Sequence, residues 1–203
     1  MIQLSQIWSQ YKRESIAIAI ALVILVVLIV FAIRNRPLKG DNEKEIKLMH
    51  PTVQKRFRAF IREVEKKTGY KVEIVSAWRG WDRSYQIWQT NPQVQACCPP
   101  GQDYHMYGLA ADIVLHGPNG QRLGNASTRQ SWENTGIREI ARKYDLQWGI
   151  DFNGYFDPVH FAYPKWPMTS IVQRALSQYG SLSNTPGNRM SMAGLPTRTW
   201  TIA

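Results

Sequence analysis

One stretch of the chain carries no polar stripe at all. From Ile16 to Ile33, in IAIAIALVILVVLIVFAI, every side chain is apolar. At about 1.5 Å rise per residue it reaches roughly 27 Å, close to the hydrocarbon thickness of a bilayer. A helix packed in a soluble core shows a polar face. A cleaved signal peptide has a shorter apolar region ending in small residues, whereas this one runs into RNRP. The pattern predicts a retained transmembrane helix over 16–33, after a short N-terminal segment over 1–15. Lys12 and Arg13 before it nearly balance Arg34, Arg36 and Lys39 after it. Charge bias leans slightly towards a cytoplasmic C-terminal side and does not fix the orientation.

The pattern then changes. A polar linker over 34–49 leads into a domain over 50–180. PTVQKRFRAFIREVEKKTG repeats apolar residues at helical spacing, with Val53, Phe57, Ile61 and Val64 on one face. Pro51 suits its first turn and Gly69 its end. KVEIVSAW alternates as a strand does, with Val72 and Ile74 on one side. WDRSYQIWQT predicts a short helix, and NPQVQACCPPGQD a loop. LAADIVL predicts a buried strand closed by the turn HGPNG. SWENTGIREIARKYD predicts one helix capped by Ser131, with Ile137, Ile140, Ala141 and Tyr144 facing inward. LQWGIDF and VHFAY predict two more short strands, and PMTSIVQRALSQYG a last helix between Pro167 and Gly180. There is no regular βαβ repeat. The expected fold class is α+β, a small antiparallel sheet flanked by helices and preceded by the transmembrane helix. Residues 181–203, rich in Ser, Asn, Gly, Pro and Thr, predict an extended C-terminal tail.

Charge narrows the partners. The 203-residue chain has a formal net charge of +10 and a pI near 9.8, which favours anionic surroundings. The basic residues are scattered, without interleaved stacking aromatics, so nucleic acid is not expected as a partner. Cys97 and Cys98 are the only cysteines and are adjacent, which is not the pattern of a disulfide framework and argues against a cysteine-built metal site. Adjacent cysteines can close a small strained ring, but a pair of free thiols in the loop is the favoured expectation.

The candidate chemistry lies in DYHMYGLAADIVL, residues 103–115. A catalytic zinc takes three ligands from His, Asp, Glu or Cys and keeps one position open. The helical HExxH arrangement is absent, so ligands must come from strands and loops. His105 sits where a glycine-containing loop enters a strand that carries Asp112, with the small residues Gly108, Ala110 and Ala111 between them. Of the other histidines, His50 precedes a helix and His116 lies in a turn, and both are expected to be solvated. His160 lies in an apolar strand, three residues after Asp157. His105, Asp112 and His160 could hold zinc, with Asp157 as the carboxylate that moves the proton of the attacking water. Spacing alone leaves a structural alternative open. A histidine inside a strand is also what a hydrogen-bonded core residue looks like, and an aspartate at a strand edge is often a cap.

These residues, taken together, resemble a known pattern. His105-MYGLAA-Asp112 followed by Asp157-PV-His160-Phe161 is similar to the M15 family of zinc peptidases, the D-alanyl-D-alanine carboxypeptidase and L-alanyl-D-glutamate endopeptidase group. His105, Gly108, Ala110 and Asp112 fall on its SxHxxGxAxD pattern. LQWGIDF looks like its tryptophan-glycine-aspartate segment. SAWRGWDRS resembles its SxxRS-type segment, so the resemblance implies a substrate-binding role for Arg79. The chain departs from the pattern at Asp103, in place of Ser, and at Gly80, in place of Ser or Thr. The Asp and HF around the last ligand look more like the endopeptidase branch. The resemblance covers about residues 51–179. It implies a Zn2+ enzyme on the peptidase fold of that family, acting on peptidoglycan stem peptides at an L-Ala–D-Glu type bond. The alternatives are a D-Ala–D-Ala carboxypeptidase and a non-catalytic wall-binding module. The substrate would place the domain outside the bacterial cytoplasmic membrane, held to the lipid bilayer by the N-terminal helix, with the short N-terminus over 1–15 in the cytosol. There it would serve an envelope-spanning assembly, such as a secretion system, or phage lysis.

Overall fold

The computed structural model describes residues 4–35, 38, 40–91, 98–165, 167–170 and 172–173. The chain divides into two compact units, Met1–Pro37 and Leu38–Ala203. The first is one helix, α1 (Leu4–Asn35), whose described side chains run from Ser15 to Val30 and are all exposed. Among the described residues no helix is long and apolar enough to cross a membrane. The described side chains stop three residues short of the end of the predicted span, at Ile33.

The second unit begins earlier than the sequence pattern suggests. Within the expected linker, Asp41–Leu48 forms a helix, α2. Its composition is polar, but Ile46 is fully buried and Met49 nearly so, both in the main core. Glu43 is also buried, bonded to the Leu38 N–H and forked by Arg58 Nε and Nη2 at 2.7–3.2 Å. The Arg58 hydrogen bonds outweigh burial and hold its pKa below the usual value.

After the corner at Met49–His50 comes α3 (Pro51–Thr68), which buries Val53, Phe57, Phe60, Ile61 and Val64 against the sheet. The expected signals hold: Pro51 opens it, and Gly69 closes it in the left-handed conformation, φ 76. His50 is its N-cap, with Nδ1 accepting from the Thr52 N–H at 3.3 Å. It is buried, not solvated as expected.

The sheet is antiparallel throughout, in the order β1 (Lys71–Ser76), β2 (Ala110–His116), β5 (His160–Ala162), β4 (Gln147–Trp148). The short β3 (Arg122–Leu123) pairs with the far end of β2. Val72 and Ile74 of β1 face the core, as their alternation predicts. β1 lies at the sheet edge, where unpaired backbone groups need cover. Asn42 of α2 supplies it, donating to Val72 O at 2.6 Å and accepting from the Ile74 N–H at 2.7 Å. Phe161 of β5 stacks on Trp148 at 5.7 Å and meets Phe60 at 5.0 Å, joining sheet and helix. Burial of each such ring contributes roughly 1.5–3 kcal/mol.

α4 (Trp81–Thr90) forms where expected. The single helix expected from Ser131 is two: α5 (Arg129–Glu133) and α6 (Ile137–Lys143). Gly136, at φ 71, breaks the run, and the cap of α5 is Thr128, which accepts from the Ser131 N–H. Ile137, Ile140 and Ala141 are buried as predicted, and Tyr144 is half-buried. Residues 168–170 and 172–173 are helical, beginning just after Pro167. The rest of that predicted helix and the predicted tail over 181–203 lie outside the described residues. Cys98 is disulfide-bonded, and no free cysteine occurs among the described residues, which corrects the expectation of free thiols.

Candidate active site

Strand pairing brings the first two candidate ligands together. Asp112 on β2 stands directly opposite His160 on β5, and on its other side opposite Ser76, at a register shift in β1. Residues opposite each other in a sheet present side chains to the same face. The third candidate arrives from a 3-10 turn, Tyr104–Tyr107, just before β2. Asp103 caps that turn, its Oδ1 accepting from the His105 N–H at 2.9 Å. Gly108 ends it at φ 63, and a Cβ there would stand 2.6 Å from the His50 backbone nitrogen. Only glycine combines that backbone angle with that approach.

The three side chains converge. His105 Nε2 lies 3.1 Å from Asp112 Oδ1 and 3.1 Å from His160 Nδ1, and His160 Nδ1 lies 3.2 Å from the same Asp112 oxygen. His105 is 1% exposed, and its Nδ1–H donates to Ala77 O at 2.6 Å. That bond sets the tautomer and turns the lone pair of Nε2 into the cluster. Two imidazoles and a carboxylate thus aim at one point with little water to satisfy them. With metal–nitrogen bonds of about 2.0–2.1 Å, tetrahedral ligands stand roughly 3.3 Å apart. The spacing of His105, Asp112 and His160 fits a metal ion, and one group of this kind, composed of these three residues, is found among the described residues.

The charges around this point are strongly coupled. Burial pushes the Asp112 carboxyl up, but the charge and hydrogen bond of His105, the bond from His160 and the Arg79 charge hold it well below the usual carboxylate range. Burial works to lower the His160 pKa, and the hydrogen bond and charge of Asp112 overcome it and raise it. Asp157 goes the other way. Burial raises it, with Asp112 adding to the effect against the opposing charge of His160.

A cleft of about 460 Å³ opens onto the cluster, and Arg79, Asp103, His105, Asp157 and His160 all line it. Phe152, Tyr155 and Met168 form an apolar wall, and Gln102, Gln147 and Asn153 add neutral amides. Tyr155 is stacked on Phe152 and donates its hydroxyl to Asp157 Oδ2 at 3.2 Å. Burial and the nearby Asp157 raise the phenol's pKa, so it remains a donor. Beneath them Gly149 is buried, and its carbonyl accepts from the Phe152 N–H at 3.3 Å and the Asp157 N–H at 3.2 Å.

Of the five residues singled out from sequence, Arg79, His105, Asp157 and His160 line one cleft, and Asp112 contacts three of them, His105, His160 and Arg79. Arg79 contacts the cluster directly: Nη2 pairs with Asp112, Nη1 reaches Asp103 Oδ2 at 3.5 Å, and Nε donates to Ser76 Oγ at 2.9 Å. Gly80 is the N-cap of α4 and provides no side-chain cap. His116 ends β2, partly exposed, 2.6 Å from Glu73. Sequence reasoning passed over Tyr155 and Gly149. The one signal for either was its place, beside Asp157 in sequence or within the WGID segment.

Residues 99–163 match the family Peptidase_M15_4, described as D-alanyl-D-alanine carboxypeptidase. The matched segment, about a third of the chain, and the His–Asp–His cluster mark the protein as an enzyme, a metallopeptidase. Among curated relatives, the chain is 25% identical over 139 residues to the peptidoglycan L-alanyl-D-glutamate endopeptidase CwlK of Bacillus subtilis (strain 168), covering 64% of this chain and 77% of that protein. Among solved structures, it is similar to the Serratia marcescens L-Ala D-Glu endopeptidase ChiX, with 18% identity and a TM-score of 0.44. That similarity covers 64% of this chain and 91% of the other.

Proposed function

We propose that this protein is a membrane-anchored zinc endopeptidase that cuts the stem peptide of peptidoglycan, at an L-Ala–D-Glu type bond. The observation that carries the reading is the convergence of His105, Asp112 and His160 at the base of a cleft that Asp157 also lines. The names of the similar proteins and the Asp157–His160–Phe161 pattern support the choice of substrate.

Asp112 and the two histidines would hold the zinc. When bound, zinc supplies Lewis acidity, polarising a carbonyl and making water a nucleophile near neutral pH. Asp157 takes the proton of the attacking water and returns it to the departing amine. Its raised pKa suits a group that must both accept and release a proton. Tyr155 holds one oxygen of that carboxylate and leaves the other for the transfer. The apolar wall of Phe152, Tyr155 and Met168 shields the reacting centre from bulk water.

The apolar run over 16–33 would anchor the protein in the cytoplasmic membrane with the catalytic domain on its outer side. A tether restricts cutting to a layer near the membrane, which suits local wall opening for an envelope-spanning assembly. The +10 charge suits an acidic wall polymer.

The test is mass spectrometry of muropeptides digested by the full-length protein with zinc, wild type beside Asp157→Ala. The expected wild-type products are stem peptides cut after L-Ala, absent with the variant. The family description favours a second reading as a D-Ala–D-Ala carboxypeptidase. Loss of a single terminal alanine in the same spectra would select it. No cleavage at all refutes both.

A further inference from the structure

The sequence departure at Asp103 and the engagement of Arg79 belong to one arrangement. Asp112 divides its two oxygens: Oδ1 faces His105 Nε2 and His160 Nδ1, and Oδ2 is taken by Arg79 Nη2. The guanidinium therefore leaves one oxygen for a metal and prevents the carboxylate from turning both towards it. Arg79 is itself fixed at each nitrogen, by Ser76, Asp103 and Asp112. Its side chain is 15% exposed, as is that of Asp103. Asp103 is bound twice, through Oδ1 to the His105 N–H and through Oδ2 to Arg79. A serine at 103 could accept from the His105 N–H. It could not also reach Arg79 or offset its charge, which would then stand beside a divalent cation without a second carboxylate.

We propose that Asp103 and Arg79 are a positioning pair for the metal site, with Asp103 holding Arg79 and Arg79 holding Asp112 to a single free oxygen, and that Arg79 is not the cation that binds a substrate carboxylate. This rests on reading His105, Asp112 and His160 as metal ligands. Outer partners of this kind orient ligands, and their loss weakens metal binding about 10–100-fold.

The experiment measures zinc affinity of the metal-stripped full-length chain by competition with a chromophoric chelator, alongside KM and kcat. Arg79→Gln and Asp103→Asn are each expected to bind zinc about 10–100-fold more weakly. Asparagine can still cap the His105 turn, so the second variant isolates the contact with Arg79. Arg79→Lys keeps the charge and loses the fork, and is expected to weaken binding to a smaller degree, with a metal-free circular dichroism spectrum like wild type. The double variant Arg79→Gln with Asp103→Asn should bind zinc no more weakly than Arg79→Gln alone, because Asp103 acts through Arg79. Wild-type affinity in the single variants, with KM raised instead, makes Arg79 a substrate cation and overturns the proposal. Fully additive losses in the double variant overturn the pairing. A wild type that binds no zinc removes the metal-site reading itself, and the proposal with it.

Discussion

Gly149→Ala tests whether the active-site turn has any slack. A Cβ on Gly149 would overlap the carbonyl oxygen of Asp157. It would also stand 3.0 Å from Asp157 Cβ and 3.1 Å from His160 Cβ, where ordinary contact begins at 3.4 Å. Two of the three neighbours are close to backbone and the third is backbone, so no flexible side chain can swing aside. The Gly149 carbonyl also holds the Asp157 N–H, and the Asp157 carbonyl holds the His160 N–H, each at 3.2 Å. Relief of the overlap must therefore move Asp157 and His160 together, by a distance on the order of 1 Å. A displacement of that size costs a reaction about 100-fold, or about 2.7 kcal/mol in the barrier. Overpacking of this kind costs a further 1–3 kcal/mol or so in stability. The assay compares kcat for release of stem peptides, together with Tm, for wild type, Gly149→Ala and Gly120→Ala. Gly120 has a positive φ of 77, but a methyl added there would meet nothing within 4 Å, so its replacement should lower Tm slightly and leave kcat alone. Gly149→Ala with kcat within twofold of wild type would falsify the claim that this glycine sets the position of Asp157.

Three further outcomes follow from the contacts around the site and the core. Tyr155→Phe keeps the ring on Phe152 and removes the hydroxyl on Asp157, so kcat should fall about tenfold with KM and zinc affinity unchanged, the value of one hydrogen bond to a charged group. Glu63 is held by Lys143, Tyr144 and Lys67, which lower its pKa from 4.5 to about 2. Its contribution to stability is fully present above pH 4.5 and is lost as pH falls towards about 2, so urea unfolding of wild type and Glu63→Gln should differ at neutral pH and converge in acid. Zinc at 100 times its Kd should stabilise the fold by about 2.7 kcal/mol, read as a rise in Tm that a chelator reverses and that His160→Ala abolishes.

The elements that were legible in the sequence are those whose burial follows a local period. α3 and β1 show their inward residues directly, and β2 shows itself as an apolar run bounded by turn residues. The site residues were legible as chemistry out of place, a histidine in an apolar strand and a second one against glycine and alanine. Their geometry was not. The pairing of Asp112 with His160 is a matter of register between strands 48 residues apart, which no local pattern encodes. α2 escaped because two apolar anchors, Ile46 and Met49, suffice to seat an otherwise polar helix. His50 looked like a solvated residue because its capping of α3 and its burial arise from the corner behind Gly108. The break at Gly136 was hidden because the helical spacing of Ile137, Ile140 and Ala141 outweighed the weak helix formers Asn134 and Thr135 before it, and the role of Asp103 was hidden because its second partner, Arg79, lies 24 residues away.

The corner at residues 49–50 has a consequence for how this protein can be divided. The His50 N–H donates to Gly108 O at 2.9 Å, and Met49 backs the same glycine, so the chain entering the domain forms the rear wall of the loop that carries His105. Asn42, about two turns upstream, seals the exposed side of β1. A fusion joint or protease cut anywhere between 41 and 50 would therefore disturb a histidine more than fifty residues further on. The catalytic body is a transplantable cassette only when the joint lies ahead of Leu38, and shortening it to the family-matched segment would leave the loop of His105 without its support.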